Sequence, residues 1–273
     1  MSFVDTPPGF APRPHRPTLR KQHPLASGAR GVWVPTQSQR GGAVQDIARV
    51  GIPGTLQSGV SWAALNGETV LSFDGGASAE VNLGDTIIDL APTQGTVVCL
   101  IRPSRAYDNP SGDGLWGDIN GTGFGAQRYI NATVYIGWIS SGNDDRVAVA
   151  LSASTWLQNQ WNLYVFTWRD GGTSYLYHQG SQIGSQANCT VATVSESMKF
   201  GGPAFGTTDF SGQYGFFGIW NYPWDPAQVA RYRDYRSLWS LITPPTSLPA
   251  NAPSGTSIPV FVHHYRQLRR RAA

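Results

Sequence analysis

Between residues 31 and 221 the chain is a succession of short apolar runs, each cut off by a cluster of Gly, Asn, Asp or Ser, and this punctuation restricts the fold most. Short apolar runs between turn formers read as β-strands, and many of them in series read as a sandwich or barrel. The runs predict strands over 31–34, 70–73, 79–83, 96–102, 129–139, 146–151, 161–169, 174–178, 198–201 and 214–221. Two runs, Val97-Val98-Cys99-Leu100-Ile101 and Leu163-Tyr164-Val165-Phe166-Thr167-Trp168, lack a polar face. A strand reads that way when it sits mid-sheet and its outer face is covered as well. The 32 Gly, 19 Pro and 32 aromatic residues (10 Trp, 11 Tyr, 11 Phe) suit an all-β, antiparallel sandwich with many turns.

One helix is expected. Asp225 is a good N-cap, Pro226 fits the first helical position, and Val229, Tyr232, Arg236 and Trp239 follow at helical spacing. Outside the punctuated region the chain changes character. Residues 1–24 hold six prolines, which fix φ and remove donors, so this stretch reads as an extended arm. Residues 1–30 form an expected basic N-terminal arm, 31–242 the sandwich, and 243–273 a Pro-rich basic C-terminal arm.

The net charge of +3 conceals a division. Residues 1–30 hold five basic side chains and one acid, 231–273 seven and one, and 31–230 eight and fifteen. Arg13, Arg16 and Arg20 at one end, and Arg266, Arg269, Arg270 and Arg271 at the other, can offer guanidinium forks to the carboxylates of a protein partner. An Arg run can also meet phosphates. The aromatic-interleaved groove of a nucleic-acid reader is absent, so nucleic acid is not expected. Residues 258–262, Ile-Pro-Val-Phe-Val, can add as a strand to a neighbour's sheet edge, and a homo-oligomer is expected. No run approaches the ~20 apolar residues of a membrane span. The first residues hold no apolar stretch of signal-peptide length, so classical secretion is not expected and Asn120, Asn131 and Asn188 read as chance acceptor triplets. Cys99 reads as a small core residue; whether it pairs with Cys189 is open.

Few residues carry chemistry. Glu68, Glu80 and Glu196 have no acid two residues on, and Asp85 and Asp89 are four apart, so the paired carboxylates of a glycan hydrolase are missing. No nucleophile motif, zinc spacing or phosphate loop is present, and no enzyme is expected. The stretch 108–120 concentrates hard oxygens: Asp108, Asp113 and Asp118 can ligate calcium, although the same residues are what turns require. Asp144 and Asp145 are a second such pair. Apart from calcium, no cofactor is expected. Trp116, Tyr129 and Trp138, with Tyr135 and Trp156, can present flat rings to a glycan; core packing or a subunit interface is the favoured explanation of them.

Four segments in order resemble the laminin-G-like, concanavalin A-like jelly-roll family. They are His23 to Trp33 followed by Gln45-Asp46; Leu71-Ser72-Phe73-Asp74-Gly75; Trp161 to Trp168 with Ser174-Tyr175-Leu176-Tyr177-His178-Gln179-Gly180; and Phe200-Gly201-Gly202 with Phe210 to Gly215. The resemblance implies an antiparallel jelly-roll sandwich. The segment Tyr235-Arg236-Ser237-Leu238-Trp239-Ser240-Leu241 is similar to the ending of members carried by tailed bacteriophages. That likeness implies a non-enzymatic virion protein, a head decoration or tail-associated one, with capsid or tail proteins as partners. A carbohydrate-binding adhesin with a cell-surface glycan ligand is the alternative, and a glycan hydrolase a third.

Overall fold

The computed structural model describes residues 18–243, apart from 22, 36–40, 49–52, 67, 77, 118–122, 141–142, 193, 195–196, 203–208 and 234. The described chain forms two antiparallel sheets packed face to face. The first sheet runs, in order, through Asn143–Ala150, Thr133–Ser140, Gly123–Arg128, Asp113–Gly117, Lys199–Phe200, Val81–Asn82, Gly54–Leu56 and Ala43–Val44. The second runs through Ser181–Cys189, Gly172–His178, Asn162–Arg169, Gln94–Pro103, Ser211–Trp220, Glu68–Asp74 and Val60–Leu65. Ala29–Trp33 pairs with the far half of Ser211–Trp220, continuing the line of Glu68–Asp74. The late strand Ser211–Trp220 is thus threaded between two early ones, as a jelly roll requires.

The two wholly apolar runs behave as their pattern demands. Val97, Cys99, Ile101, Tyr164, Phe166 and Trp168 point into the core between the sheets. Their alternates Val98, Leu100, Leu163 and Val165 point outward, into a second core. That second core is closed by the first and last described segments: Leu25 and Val32 from one side, and Trp224, Val229, Tyr232, Leu238 and Leu241 from the other. Thr18–Leu19 pairs with Ile242–Thr243 over it. Residues 18–30 are therefore packed on the sandwich, Leu25 being 1% exposed, rather than belonging to a free arm. Cys99 and Cys189 are both unpaired and buried in the inner core.

The helix Pro226–Arg231 is capped as expected: Asp225 Oδ1 accepts from Gln228 N at 2.7 Å, and Asp225 N donates to Gln228 Oε1 at 2.9 Å. It stops at Tyr232, whose ψ of 44° leaves the helix, and a separate turn of helix follows at Tyr235–Leu238. A further short helix, Ile87–Leu90, was not expected; Asp89 closes a capping box with Thr86. That box accounts for the acid four residues after Asp85.

Two other expectations need correction. The run 129–139 is not one strand: residues 129–132 turn back, with Ala132 N bonded to Tyr129 O at 3.1 Å and Ala132 at φ +58°. Gly123–Arg128 and Thr133–Ser140 are the arms of that hairpin. Asp113–Gly117, read as part of a loop, is a fully buried strand. Gly123–Arg128 offers only Phe124 and Ala126 as an apolar face and Ser181–Cys189 is mostly polar, so periodicity marks both weakly.

Candidate functional site

One end of the sandwich gathers the loops after Gln94–Pro103, Gly123–Arg128 and Asn143–Ala150 around a single buried side chain, Arg128, which is 0% exposed. Its Nε donates to Asp113 Oδ2 at 2.8 Å and its Nη2 to the same oxygen at 2.6 Å. Nη1 donates to the carbonyls of Tyr107 at 3.1 Å and Asn109 at 2.9 Å, and Nη2 to that of Ser111. Trp156 lies 5.5 Å from the guanidinium and donates its indole N–H to Arg105 O at 2.9 Å. Arg105 supplies a second cation to Asp113, at 2.9 Å. Burial pushes the Asp113 carboxyl up, while Arg128 and Arg105 pull it back toward the ionised state.

This arrangement overturns the calcium reading for Asp113. The carboxylate and the loop carbonyls that would ligate a cation are spent on an internal one, the Arg128 guanidinium. Among the described residues no cluster of His, Cys, Asp or Glu can hold a metal. Asp118 lies outside the described residues. Asp108 is exposed in the loop beyond Tyr107. Asp145 Oδ2 accepts from Thr190 N at 3.0 Å. The signal for the internal cation was present in the sequence as two arginines, Arg105 and Arg128, bracketing the acid-rich stretch.

The aromatic candidates divide. Trp116 and Trp138 are each 0% exposed and pack on Phe124 with ring centroids 4.9 and 4.3 Å away. They are core residues and cannot stack on a glycan. Trp156 is buried over Arg128. Tyr129 is different: with its neighbour Ile130 it is exposed, at 38% and 53%, and these are the exposed large apolar side chains among the described residues. Tyr129 meets Tyr135 edge-on at 6.0 Å, and the Arg146 guanidinium lies 4.7 Å from the Tyr135 ring centroid.

The register puts Tyr135 and Arg146 on the outward face of the first sheet. Val134, Ile136 and Trp138 face the core, so Tyr135 and Gly137 between them face away. Gly137 stands opposite Arg146 at φ +136°, and a Cβ there would fall 2.8 Å from Asp145 O. Glycine keeps the floor beside the Tyr135 ring bare. Gln127, opposite Tyr135, is buried, and its Oε1 has no hydrogen-bond partner among the described residues. The patch of Tyr129, Ile130, Tyr135 and Arg146 is thus mounted directly on the strand that ends in Arg128.

Of the arginines expected to dock a partner, Arg20 is half-buried, its N–H bonded to Leu241 O at 2.8 Å. Arg13, Arg16, Arg266, Arg269, Arg270 and Arg271 lie outside the described residues.

Solved structures with this fold include the binding domain of Paraclostridial Mosquitocidal Protein 1, with a TM-score of 0.64 at 12% identity, covering 78% of this chain and 53% of that one. The binding domain of botulinum neurotoxin DC in complex with SialylT matches with a TM-score of 0.55 at 11% identity, covering 77% and 53%. The same domain in complex with rat synaptotagmin II matches with a TM-score of 0.55 at 12% identity, again covering 77% and 53%. The chain spans about half the length of these structures, and identities this low show a common fold alone. No curated protein matches the sequence. A family model of laminin-G type, described as the concanavalin A-like lectin/glucanases superfamily, matches residues 74–230. That span takes in the strands on both sides of the inner core, from the end of Glu68–Asp74 to the capped helix, and the chain belongs to the concanavalin A-like lectin/glucanase superfamily.

Proposed function

We propose that the chain is a non-catalytic, lectin-like module that recognises a cell-surface glycan through Tyr129, Tyr135 and Arg146. The observation that carries this reading is the placement of its exposed large apolar side chains. Tyr129 and Ile130, the exposed large apolar side chains among the described residues, sit together on one hairpin beside a second tyrosine and an arginine. Aromatic faces stack on the apolar faces of sugar rings, and a guanidinium donates to hydroxyls or carboxylates. The rigid mount lowers the ordering cost of binding, since Arg128 pins both the hairpin and the adjacent loop. The carboxylates support the non-catalytic part: Asp113 is held by two arginines, Glu80 pairs with Lys199 at 3.0 Å, and Asp89 caps a helix.

Glycan-array binding of the full chain, with and without chelator, tests the proposal. Specific binding that survives chelation, and that falls at least about tenfold in Tyr129→Ala and Tyr135→Ala, is expected. Retention of full binding by both variants would remove the site, and reproducible sugar release would make the module a hydrolase.

A virion setting is the second reading. It is supported by the basic chain ends flanking an acidic middle and by the likeness of residues 235–241 to the endings of tailed-bacteriophage members. There the arms would pin the sandwich to capsid or tail protein. Co-sedimentation with particles across a salt series tests it: attachment should weaken as salt rises, and salt-independent attachment would count against docking by arginine.

A further inference from the structure

The first and last described segments meet along a seam over the second core. Thr18–Leu19 pairs with Ile242–Thr243, Arg20 N donates to Leu241 O at 2.8 Å, and Trp220 Nε1 donates to Leu25 O at 2.6 Å. A titratable side chain, His23, bridges this seam. Its Nε2 lies 2.8 Å from Tyr232 OH, and the two rings meet edge-on with centroids 5.5 Å apart. Its Nδ1 accepts from Leu25 N at 3.2 Å and so caps the short helical turn Pro24–Ala26. An accepting Nδ1 places the proton of the neutral ring on Nε2, which then donates to the tyrosine hydroxyl.

That turn carries the buried Leu25 into the second core, and the Leu25 carbonyl is the acceptor of the Trp220 indole. A second proton can enter the imidazole only at Nδ1. There it sets one N–H against another, and Leu25 N loses its acceptor. The surroundings offer the imidazolium no counter-charge. Arg231 on the helix and Arg20 on the same segment both oppose a positive ring, Tyr232 faces it through its hydroxyl, and no carboxylate among the described residues faces it. Asp225, the acid that caps this helix, sits at the opposite end of it.

We infer that His23 is a proton-operated latch on this layer: uncharged, it holds Pro24–Ala26 on the second core, and protonated, it lets the turn lift while the sandwich beneath stays folded. Burial first, then Arg231 and Arg20, hold the closed ring below the ordinary histidine value. The lifted, solvated ring binds the proton more tightly, so closure is complete at neutral pH and weakens as the pH falls beneath about 6.5. Residues 1–17 and 244–273 join the body at Thr18 and Thr243, which are paired across the same seam. The latch therefore acts on the place where both basic stretches leave the sandwich.

Hydrogen exchange on the full chain, expressed as protection factors at pH 7 and pH 5, tests this. In the wild type the amides of Leu25 and Ala26 and the Trp220 indole should lose at least about threefold in protection. Asparagine is a good N-cap and does not titrate, so His23→Asn should erase that loss and leave any change in residues 97–101 as it is in the wild type. Arg20→Gln combined with Arg231→Gln tests the same point with the histidine in place: the loss should begin at a higher pH. Constant protection at Leu25 and Ala26 from pH 7 to pH 5 in the wild type would overturn the inference. So would an equal loss in His23→Asn, or an onset that the two arginine substitutions leave unmoved.

Discussion

The two faces of the second sheet are buried by different means. Its inner face meets another sheet, and hairpin neighbours build much of that core: Thr133–Ser140 with Asn143–Ala150, and Asn162–Arg169 with Gly172–His178. Its outer face is covered by the first and last described segments, residues far apart in sequence. Trp220 donates to Leu25 O at 2.6 Å, Tyr232 OH and His23 Nε2 are 2.8 Å apart, and Thr18 pairs with Thr243. Joining residues some 200 positions apart costs about 2 kcal/mol more in loop closure than joining residues 20 apart, and the elements that do so here are short, two to six residues each. The expectation that follows is a layer that opens locally before the inner core does, which hydrogen exchange reads directly.

Arg128→Met is the most severe way to break the inner side. It leaves the buried Asp113 carboxylate with Arg105 as its one remaining cation among the described residues and the carbonyls of Tyr107, Asn109 and Ser111 without their donor, and should cost about 3 kcal/mol or more in urea unfolding. Adding Asp113→Asn should return part of that loss, because the carboxylate half-deprived of its counter-charge disappears while Arg105 stays partly exposed to water. A double variant as unstable as the single would show that Arg128 acts through its loop carbonyls instead.

Acid acts on both faces by one mechanism. Burial pushes His178 down to about 4, where it meets Asn162 Oδ1 at 3.1 Å. His23 is lowered by burial and then by Arg231 and Arg20. Both folded values lie below the unfolded value of about 6.5, so the unfolded chain binds more protons once the pH drops beneath it. Stability should therefore hold above pH 6.5 and fall between about 6.5 and 4. His178 alone should account for roughly 2–3 kcal/mol of that loss by pH 4.5. His178→Gln should flatten the profile. Protonating His23 Nδ1 also ends its acceptance from Leu25 N, so exchange in residues 23–26 should rise before that of the inner strands.

Val229→Ala sharpens the contrast from the outer side. It removes two methyl carbons from a fully buried site, for about 2 kcal/mol. The outer layer should then exchange faster while residues 97–101 do not. Asp225→Ala, which removes the cap of the same helix, should cost about 1 kcal/mol, with the same local signature.

Local physics made the sandwich and the helix start legible from sequence. Runs such as 97–101 and 163–168 have no polar face to show to water, so they had to lie between two covered surfaces. Asp225-Pro226 starts a helix with backbone atoms only a few residues away. The strand Gly123–Arg128 was hidden because only Phe124 and Ala126 carry its apolar face, and the Val60–Leu65 hairpin was overlooked although its Asn-Gly pair is a turn signal, with Asn66 at φ +51°. The candidate site was legible in part. Tyr129 was named, but beside Trp116 and Trp138, because an aromatic ring has the same letter whether it caps a core or faces solvent.

What the sequence alone determined is the class of fold, since burying period-two strands depends on neighbours along the chain. The tertiary structure decided what fills the acid-rich loop and which tyrosines reach water. Asp113 can attract a calcium ion or an arginine equally well, and only the hairpin that swings Arg128 beneath the loop settles the choice. Exposure of Tyr129 likewise follows from the turn at 129–132, a property of the backbone path rather than of the side chain.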